Sequence, residues 1–363
     1  MRKRRLSYAI VSFLILATVV ATPGCGVRYV AVSAYYQMEM LARAEPVETI
    51  LAEGSLSAGE EQRLRIFAEV KAFGATLGLS ATHNYDNFAR SWPHTIWNLS
   101  ATPPLSFTPK TWWFPIVGTV PYLGYFNAEE AHTQRVRLEA GGYEVYMRTV
   151  GAYSTLGWFR DPILPAMMRW DEPQIAETVS HELAHATLWI PGSVAFNESF
   201  ASIVGVEAGD QFLVYKYGPD GPEVAAAREA DHDWLVFRSI LDGLYVDLDQ
   251  LYGSSVPDDE KLKQKAELYA SMADRVRSSE IRNKTRYLDV VRVQSWNNAR
   301  LMQFRTYNSG EADFKALMAH HQQNVLAFIQ DVRRITAGQA DPFAALHVAV
   351  QGLGQPATGV QKF

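Results

Sequence analysis

The five residues His181-Glu182-Leu183-Ala184-His185 constrain the fold of this chain more than any other segment. Positions four apart share one face of an α-helix, so a helix here aims both imidazoles at one point, and Glu182, turned about 100° from His181, lies beside that point. Two imidazoles suit a tetrahedral cation, which then needs a third ligand from a separate element. The sequence that follows offers one. Pro191-Gly192 is a turn, and Phe196-Asn197-Glu198-Ser199-Phe200-Ala201 opens a second helical stretch, with twelve residues between His185 and Glu198. So short a connection makes the two helices antiparallel neighbours and brings Glu198 back toward the histidines. His181, His185 and Glu198 are the candidate ligands of a single Zn2+. Two His, one Glu and an open fourth position form a catalytic rather than a structural site, and Glu182 is placed to act as base on activated water.

The donor set is restricted from another direction. Cys25 is the single cysteine of the 363 residues, so no intrachain disulfide can form and no thiolate cluster can bind metal. The net charge of −5 leaves no electrostatic footprint for nucleic acid. The apolar fraction of 48% is enough for a large core, which argues against disorder for most of the chain.

Cys25 closes a segment of its own kind. Arg2, Lys3, Arg4 and Arg5 precede an apolar run from Leu6 to Ala21, followed by Thr22-Pro23-Gly24-Cys25. Basic-then-apolar order is that of a secretory signal. A small residue before cysteine resembles a bacterial lipobox, which makes residues 1–25 a lipoprotein-type signal and Cys25 the lipidation site. An uncleaved anchor is the alternative. Both readings export the body and hold it at a membrane, facing the periplasm at the outer membrane in the lipoprotein case.

Apolar spacing predicts helices over 37–44 and 59–77 and irregular chain over 80–110. Segments 112–117 and 120–126 are β-like. Asn127 with Glu130 forms a capping box for a helix reaching Gly141-Gly142. A strand is expected over 143–150, continuing to Trp158. Helices follow over 172–189 and 197–209, then mostly helical chain to about 335, and the glycine-rich last 25 residues read as a loose tail. The fold class is α+β, mostly helical. The expected organisation is an N-terminal helical and irregular region (26–110), a metal-binding core (111–210), a C-terminal helical subdomain (211–338) and a flexible tail (339–363).

The chain resembles a family of predicted aminopeptidases carried as lipoproteins by proteobacteria. The matching stretches are Gly151-Ala152-Tyr153-Ser154-Thr155-Leu156-Gly157-Trp158-Phe159, the H-E-L-A-H segment, Phe196 to Ala201, Trp296-Asn297-Asn298-Ala299-Arg300 and Thr306-Tyr307-Asn308. The resemblance implies a thermolysin-like (gluzincin) core with a small β-sheet beside the zinc helix, and hydrolysis of peptide substrates. It implies an edge strand at 146–157, with Tyr153 and Gly157 beside the substrate, and an oxyanion donor for which Tyr307 is the candidate and Tyr153 the second choice. Asn297 and Asn298 are candidates for lining the cleft. The G-x-M-E-N segment with which gluzincin aminopeptidases hold a free α-amino group is absent. Glu144 and Glu177 are candidates for that task, and nothing in the sequence selects between them. Competing readings are a cell-wall peptide amidase or endopeptidase using the same site, and a non-catalytic zinc-binding envelope lipoprotein. His320-His321 and His232 read as surface residues.

Overall fold

The computed structural model describes residues 25–114, 118–151, 160–292, 296–306 and 310–353. Helices dominate and the sheets are small, in line with the α+β expectation. Helix α1 (Cys25–Ala42) leads through β1 (Glu45–Pro46) into α2 (Val47–Glu53) and α3 (Ala58–Thr76). The start of α3 is set by a capping box: Ser57 Oγ accepts from the Glu60 amide, and Glu60 accepts from the Ser57 amide. Next come β2 (Asn87–Phe88), β3 (Ile96–Thr102), β4 (Trp112–Phe114), β5 (Gly118–Val120), β6 (Leu123–Tyr125), α4 (Ala128–Ala140) and β7 (Glu144–Val150). At α4 the Asn127 side chain accepts from the amides of Glu129 and Glu130, which caps the helix as expected.

β3 is the centre of a three-stranded antiparallel sheet, ordered β6–β3–β7. Side chains alternate across a strand, so this sheet has two unlike faces. Leu99 and Ala101 pack with Val145 and with Leu138 of α4 into a small apolar core. Asn98, Ser100 and Thr102 face the other way. Among the described residues β7 pairs on one side only, so it is an edge strand. Of the expected strand at 146–157, the part beyond Gly151 lies outside the described residues.

The helices α5 (Glu172–Thr187) and α6 (Val194–Tyr217) form the middle of the molecule. Asp171 caps α5 by accepting from the Gln174 amide, and Gln174 reciprocates to the Asp171 amide. Ile175, Ala176, Val179 and Leu183 bury the inner face of α5 in the main core, shared with α3, α6 and the C-terminal helices. After α6 come α7 (Pro222–Gly253), α8 (Asp258–Ala270), α9 (Met272–Ser278), α10 (Lys284–Arg292), α11 (Asn298–Thr306), α12 (Glu311–His320), α13 (Val325–Thr336) and α14 (Pro342–Leu353). A second core joins Phe237, Leu241, Leu244 and Leu248 of α7 to Met272, Val276, Tyr287 and Leu301.

Three expectations are corrected. Residues 80–110, expected to be irregular, hold β2 and the central strand β3, whose pairing partners β6 and β7 lie further along the chain. The expected loose tail contains α14: Leu346 is fully buried, and the Phe343 ring lies 5.1 Å from Phe196 and 6.5 Å from Phe314. Glycines at 352, 354 and 359 suggested a tail, but the apolar spacing at 343, 346 and 350 supplies a face that the main core absorbs. The helix expected to stop at Gly209 continues to Tyr217. Gly209 is not a terminator; it is a point of close approach. A Cβ on Gly209 would stand 3.1 Å from the Glu177 amide nitrogen, and one on Gly205 would stand 2.9 Å from the Glu177 carbonyl oxygen and 3.0 Å from the His181 Cβ. The two glycines, one turn apart, let α6 lie directly on the backbone of α5.

Gly205→Ala tests this contact. The substitution gains up to about 1 kcal/mol of helix propensity but meets backbone that cannot swing aside, at an overpacking cost of about 1–3 kcal/mol. We expect a lower midpoint of urea unfolding, and an unchanged or higher midpoint would show that the helices separate freely.

Candidate metal centre

Each candidate ligand is positioned by its own local structure. His181 and His185 lie on consecutive turns of α5, with His185 buried and His181 partly open. The end of α5 is tied down by Thr187, whose Oγ1 donates to the Leu183 carbonyl and accepts from the Ser80 amide. The turn into α6 is closed by Asn197. Its buried side chain accepts from the Ile190 amide and donates to the Ile190 carbonyl, both at 2.8 Å. Phe196 and Phe200 are wholly buried and pack against Phe314 and Phe328, which fixes the rotation of α6. That rotation turns Glu198 toward the histidines.

His181 Nε2 and His185 Nε2 are 3.1 Å apart. Glu198 Oε2 lies 3.6 Å from His181 Nε2, and Oε1 lies 3.7 Å from His185 Nε2. Metal bonds of 2.0–2.2 Å in a tetrahedron put neighbouring donors roughly 3.3–3.6 Å apart. The three residues, whose ligand atoms all fall within 4.8 Å of one another, therefore fit one small cation. Two imidazoles and a carboxylate are a donor set that suits zinc.

The electrostatics agree. Burial pushes His185 down to about 4, the neighbouring His181 charge acts the same way, and Glu198 opposes them. Burial acts on His181 too, but its bond to Glu198 and the charges of Glu182, Glu198 and Glu177 outweigh it and leave this imidazole raised. Glu198 is pushed up by burial and, more strongly, drawn down by the two rings. The two facing imidazoles are thus driven in opposite directions, His185 toward its neutral form and His181 toward its protonated one. On its other side the His185 ring is held by packing, 5.6 Å from the Trp189 ring, since among the described residues its Nδ1 has no hydrogen-bond partner.

Glu182 is half-buried beside this cluster. Tyr85 lies close enough to feel its charge: burial first, then the carboxylates of Glu182 and Asp161, push the Tyr85 hydroxyl well above its ordinary range and keep it neutral. Tyr85 has φ of 63°, which an aromatic residue seldom adopts, and its amide donates to the Asp161 carbonyl at 2.7 Å. The strained turn is braced by Asn84 Oδ1, which accepts from the Asp161 amide, and by Lys71 Nζ, which donates to the Asn84 carbonyl. Sequence reasoning missed Tyr85, and no local signal marks it. Asn197 carried a signal in its place beside Glu198, but its role as a clasp needed coordinates.

Tyr153, Gly157 and Tyr307 lie outside the described residues. Asn297 and Asn298 both make bonds within the fold. Asn297 Oδ1 accepts from the Arg300 amide at the start of α11, and its Nδ2 donates to the Val145 carbonyl of β7. Asn298 is fully buried. Its Oδ1 accepts from the hydroxyls of Tyr252 and Tyr269, and its Nδ2 faces the carbonyls of Pro103, Pro104 and Ser106. A side chain so engaged has nothing left for a ligand: paired asparagines at a helix start clip α11 to the sheet. Glu144 is bound in the same network, to Lys265 and to the Asn298 amide. His321 is paired with Asp331 at 3.0 Å, His320 is exposed, and His232 is half-buried away from the cluster.

A family model described as "Putative aminopeptidase" matches residues 28–343. No curated protein and no solved structure matches the chain.

Two measurements check the centre. Because protons compete with a cation for the histidine pair, lowering the pH below neutrality should weaken zinc uptake, by about tenfold per unit while one proton is displaced. Equilibrium dialysis from pH 8 to 5 reads this directly, and Glu198→Ala should abolish stoichiometric uptake at pH 7.5. Asn298→Ala strands two tyrosine hydroxyls and three carbonyls, and should cost roughly 2–4 kcal/mol in urea unfolding.

Proposed function

The chain belongs to this aminopeptidase family, and on that premise we propose that it is a zinc-dependent aminopeptidase with a thermolysin-like (gluzincin) catalytic core. The observation that carries the reading is the convergence of His181, His185 and Glu198 on one tetrahedral edge length, with Glu182 adjacent in sequence. Zinc held by these three residues would lower the pKa of water at its open position toward neutrality and polarise the scissile carbonyl. Glu182 accepts the proton of the attacking water and delivers it to the departing amine. A structural centre has no use for such a carboxylate, so Glu182 favours hydrolysis over mere metal storage.

An aminopeptidase must also recognise a free α-ammonium group. Of the two carboxylates considered for this, Glu144 is held by Lys265 and Asn298. Glu177 lies one turn before His181 and keeps surface open to solvent in a crowded setting, where burial raises its pKa and the His181 charge lowers it. We assign the ammonium to Glu177. Tyr307 remains the proposed oxyanion donor, and Tyr153 and Gly157 the proposed backbone neighbours of the substrate.

The location belongs to the proposal as well. The basic start, the apolar run and Cys25 support export and lipid anchoring in the cell envelope. No helix among the described residues is long and apolar enough to cross a membrane, so the anchoring rests on residues 1–25.

Glu182→Gln should retain zinc and lose roughly 100-fold or more in turnover of aminoacyl reporters. Undiminished turnover in that variant would remove Glu182 from the mechanism. Glu177→Gln should raise KM for free-amine substrates while leaving the cleavage of N-acetylated peptides, if any occurs, unchanged. An equal effect on both substrate types would rule out its assignment to the ammonium.

A further inference from the structure

A cavity of about 40 Å3 opens beside Glu198, between the second face of β3, the start of α6 and α11. Its wall includes Ser100 and Thr102 from the strand, Tyr122 from the loop before β6, Val194 and Glu198 from α6, and Met302 from α11. Strand alternation explains which residues arrive there. Leu99 and Ala101 turn into the apolar core under α4, Ala101 also bordering the cavity, and Ser100 and Thr102 lie on the face that α11 covers. Asn297 and Asn298 hold α11 in that position through the Val145 carbonyl and the Pro103–Ser106 loop.

Two features separate this cavity from a packing defect. One wall is the carboxylate assigned to the metal, so whatever enters lies next to the reacting centre. The other is chemical. Among the described residues the hydroxyls of Ser100 and Thr102 are buried with no hydrogen-bond partner, although Thr102 is only 1% exposed. An unmet buried hydroxyl costs about 1–3 kcal/mol, so these two side chains make the wall polar in composition, although neither hydroxyl is itself open to solvent.

We propose that this cavity is the side-chain specificity pocket and that it takes a small uncharged residue of the substrate, such as alanine, serine or threonine. The proposal rests on the peptidase reading and adds the substrate class to it. Size decides the upper limit. With about 10–15 Å3 needed to seat one water-sized group, 40 Å3 is room for a few such groups, which suits alanine, serine or threonine better than phenylalanine or arginine. Charge decides the rest. Among the described residues Glu198 is the only side chain in the wall that is charged near neutral pH, and its charge is engaged by His181 and His185. A cationic or anionic side chain would enter with no counter-charge. Met302, an unbranched side chain from α11, sets the depth.

The test uses amino-acid hydroxamates, which anchor on the metal and place their side chain beside it, with affinity read by calorimetry on the zinc-loaded protein so that no turnover is required. Alanine, serine and threonine hydroxamates should bind at least tenfold more tightly than the phenylalanine and arginine compounds. Met302→Ala, with its fold checked by circular dichroism, should narrow the gap between threonine and phenylalanine fivefold or more. Phenylalanine or arginine hydroxamate binding as tightly as alanine in the wild type would overturn the pocket while leaving the peptidase reading intact. Zinc-loaded protein that binds none of them would overturn the pocket too. Loss of zinc uptake would instead strike the metal centre, and the proposal would fall with it.

Discussion

The near contact of two helix backbones organises this molecule. α6 lies on α5 where Gly205 and Gly209 present no side chain to Glu177 and His181. At ordinary interaxial spacings of 8–10 Å, side chains intervene between helices, and a carboxylate from one would meet histidines of the other only by chance of length. Here the separation is reduced at one end of the crossing, the Asn197 clasp shortens the other end, and Glu198 is brought against the imidazoles. Three polar side chains that repel or compete in isolation are thereby held together. Desolvation favours the neutral form of His185, and the histidines in turn favour the ionised form of Glu198.

The rest of the architecture supplies walls. The three-stranded sheet gives its apolar face to α4 and its polar face to the site, and α11 closes the gap between that face and the start of α6. The closure draws on buried polar bonds as well as on the burial of Leu301 in the second core. Asn298 gathers two tyrosine hydroxyls and three carbonyls around one amide, and Glu144 joins it to Lys265. Such a network is costly if any member is missing and rigid when complete. Its rigidity suits a pocket whose selectivity turns on the room for a few heavy atoms.

A different kind of constraint acts on the far side of Glu182. The Tyr85 turn holds an aromatic residue at positive φ, a conformation that costs of order 1 kcal/mol or more and persists only where its surroundings insist. The surroundings are explicit: the Asp161 carbonyl, the Asn84 amide group and Lys71. Core packing of Tyr85 on Phe67 completes the seat, with ring centroids 5.7 Å apart.

What the amino-acid order determined by itself was everything periodic. The four-residue spacing of His181 and His185, the turn at Pro191-Gly192, the cap at Asn127 and the alternation of β7 follow from backbone geometry that repeats every few residues, so they can be read without knowing what lies across the core. Glu198 was legible for the same reason, because a short turn leaves two helices few ways to pack. The tertiary structure alone decided what depends on partners distant in the chain. Gly209 reads as a helix end until α5 is laid against it, and 342–353 reads as a tail until the main core takes up Phe343 and Leu346. Asn298 looks like a cleft residue until Tyr252, Tyr269 and the Pro103–Ser106 loop converge on it, and Tyr85 carries no mark at all. In each case the energy comes from groups tens to hundreds of residues away, and no local pattern encodes which of them will meet.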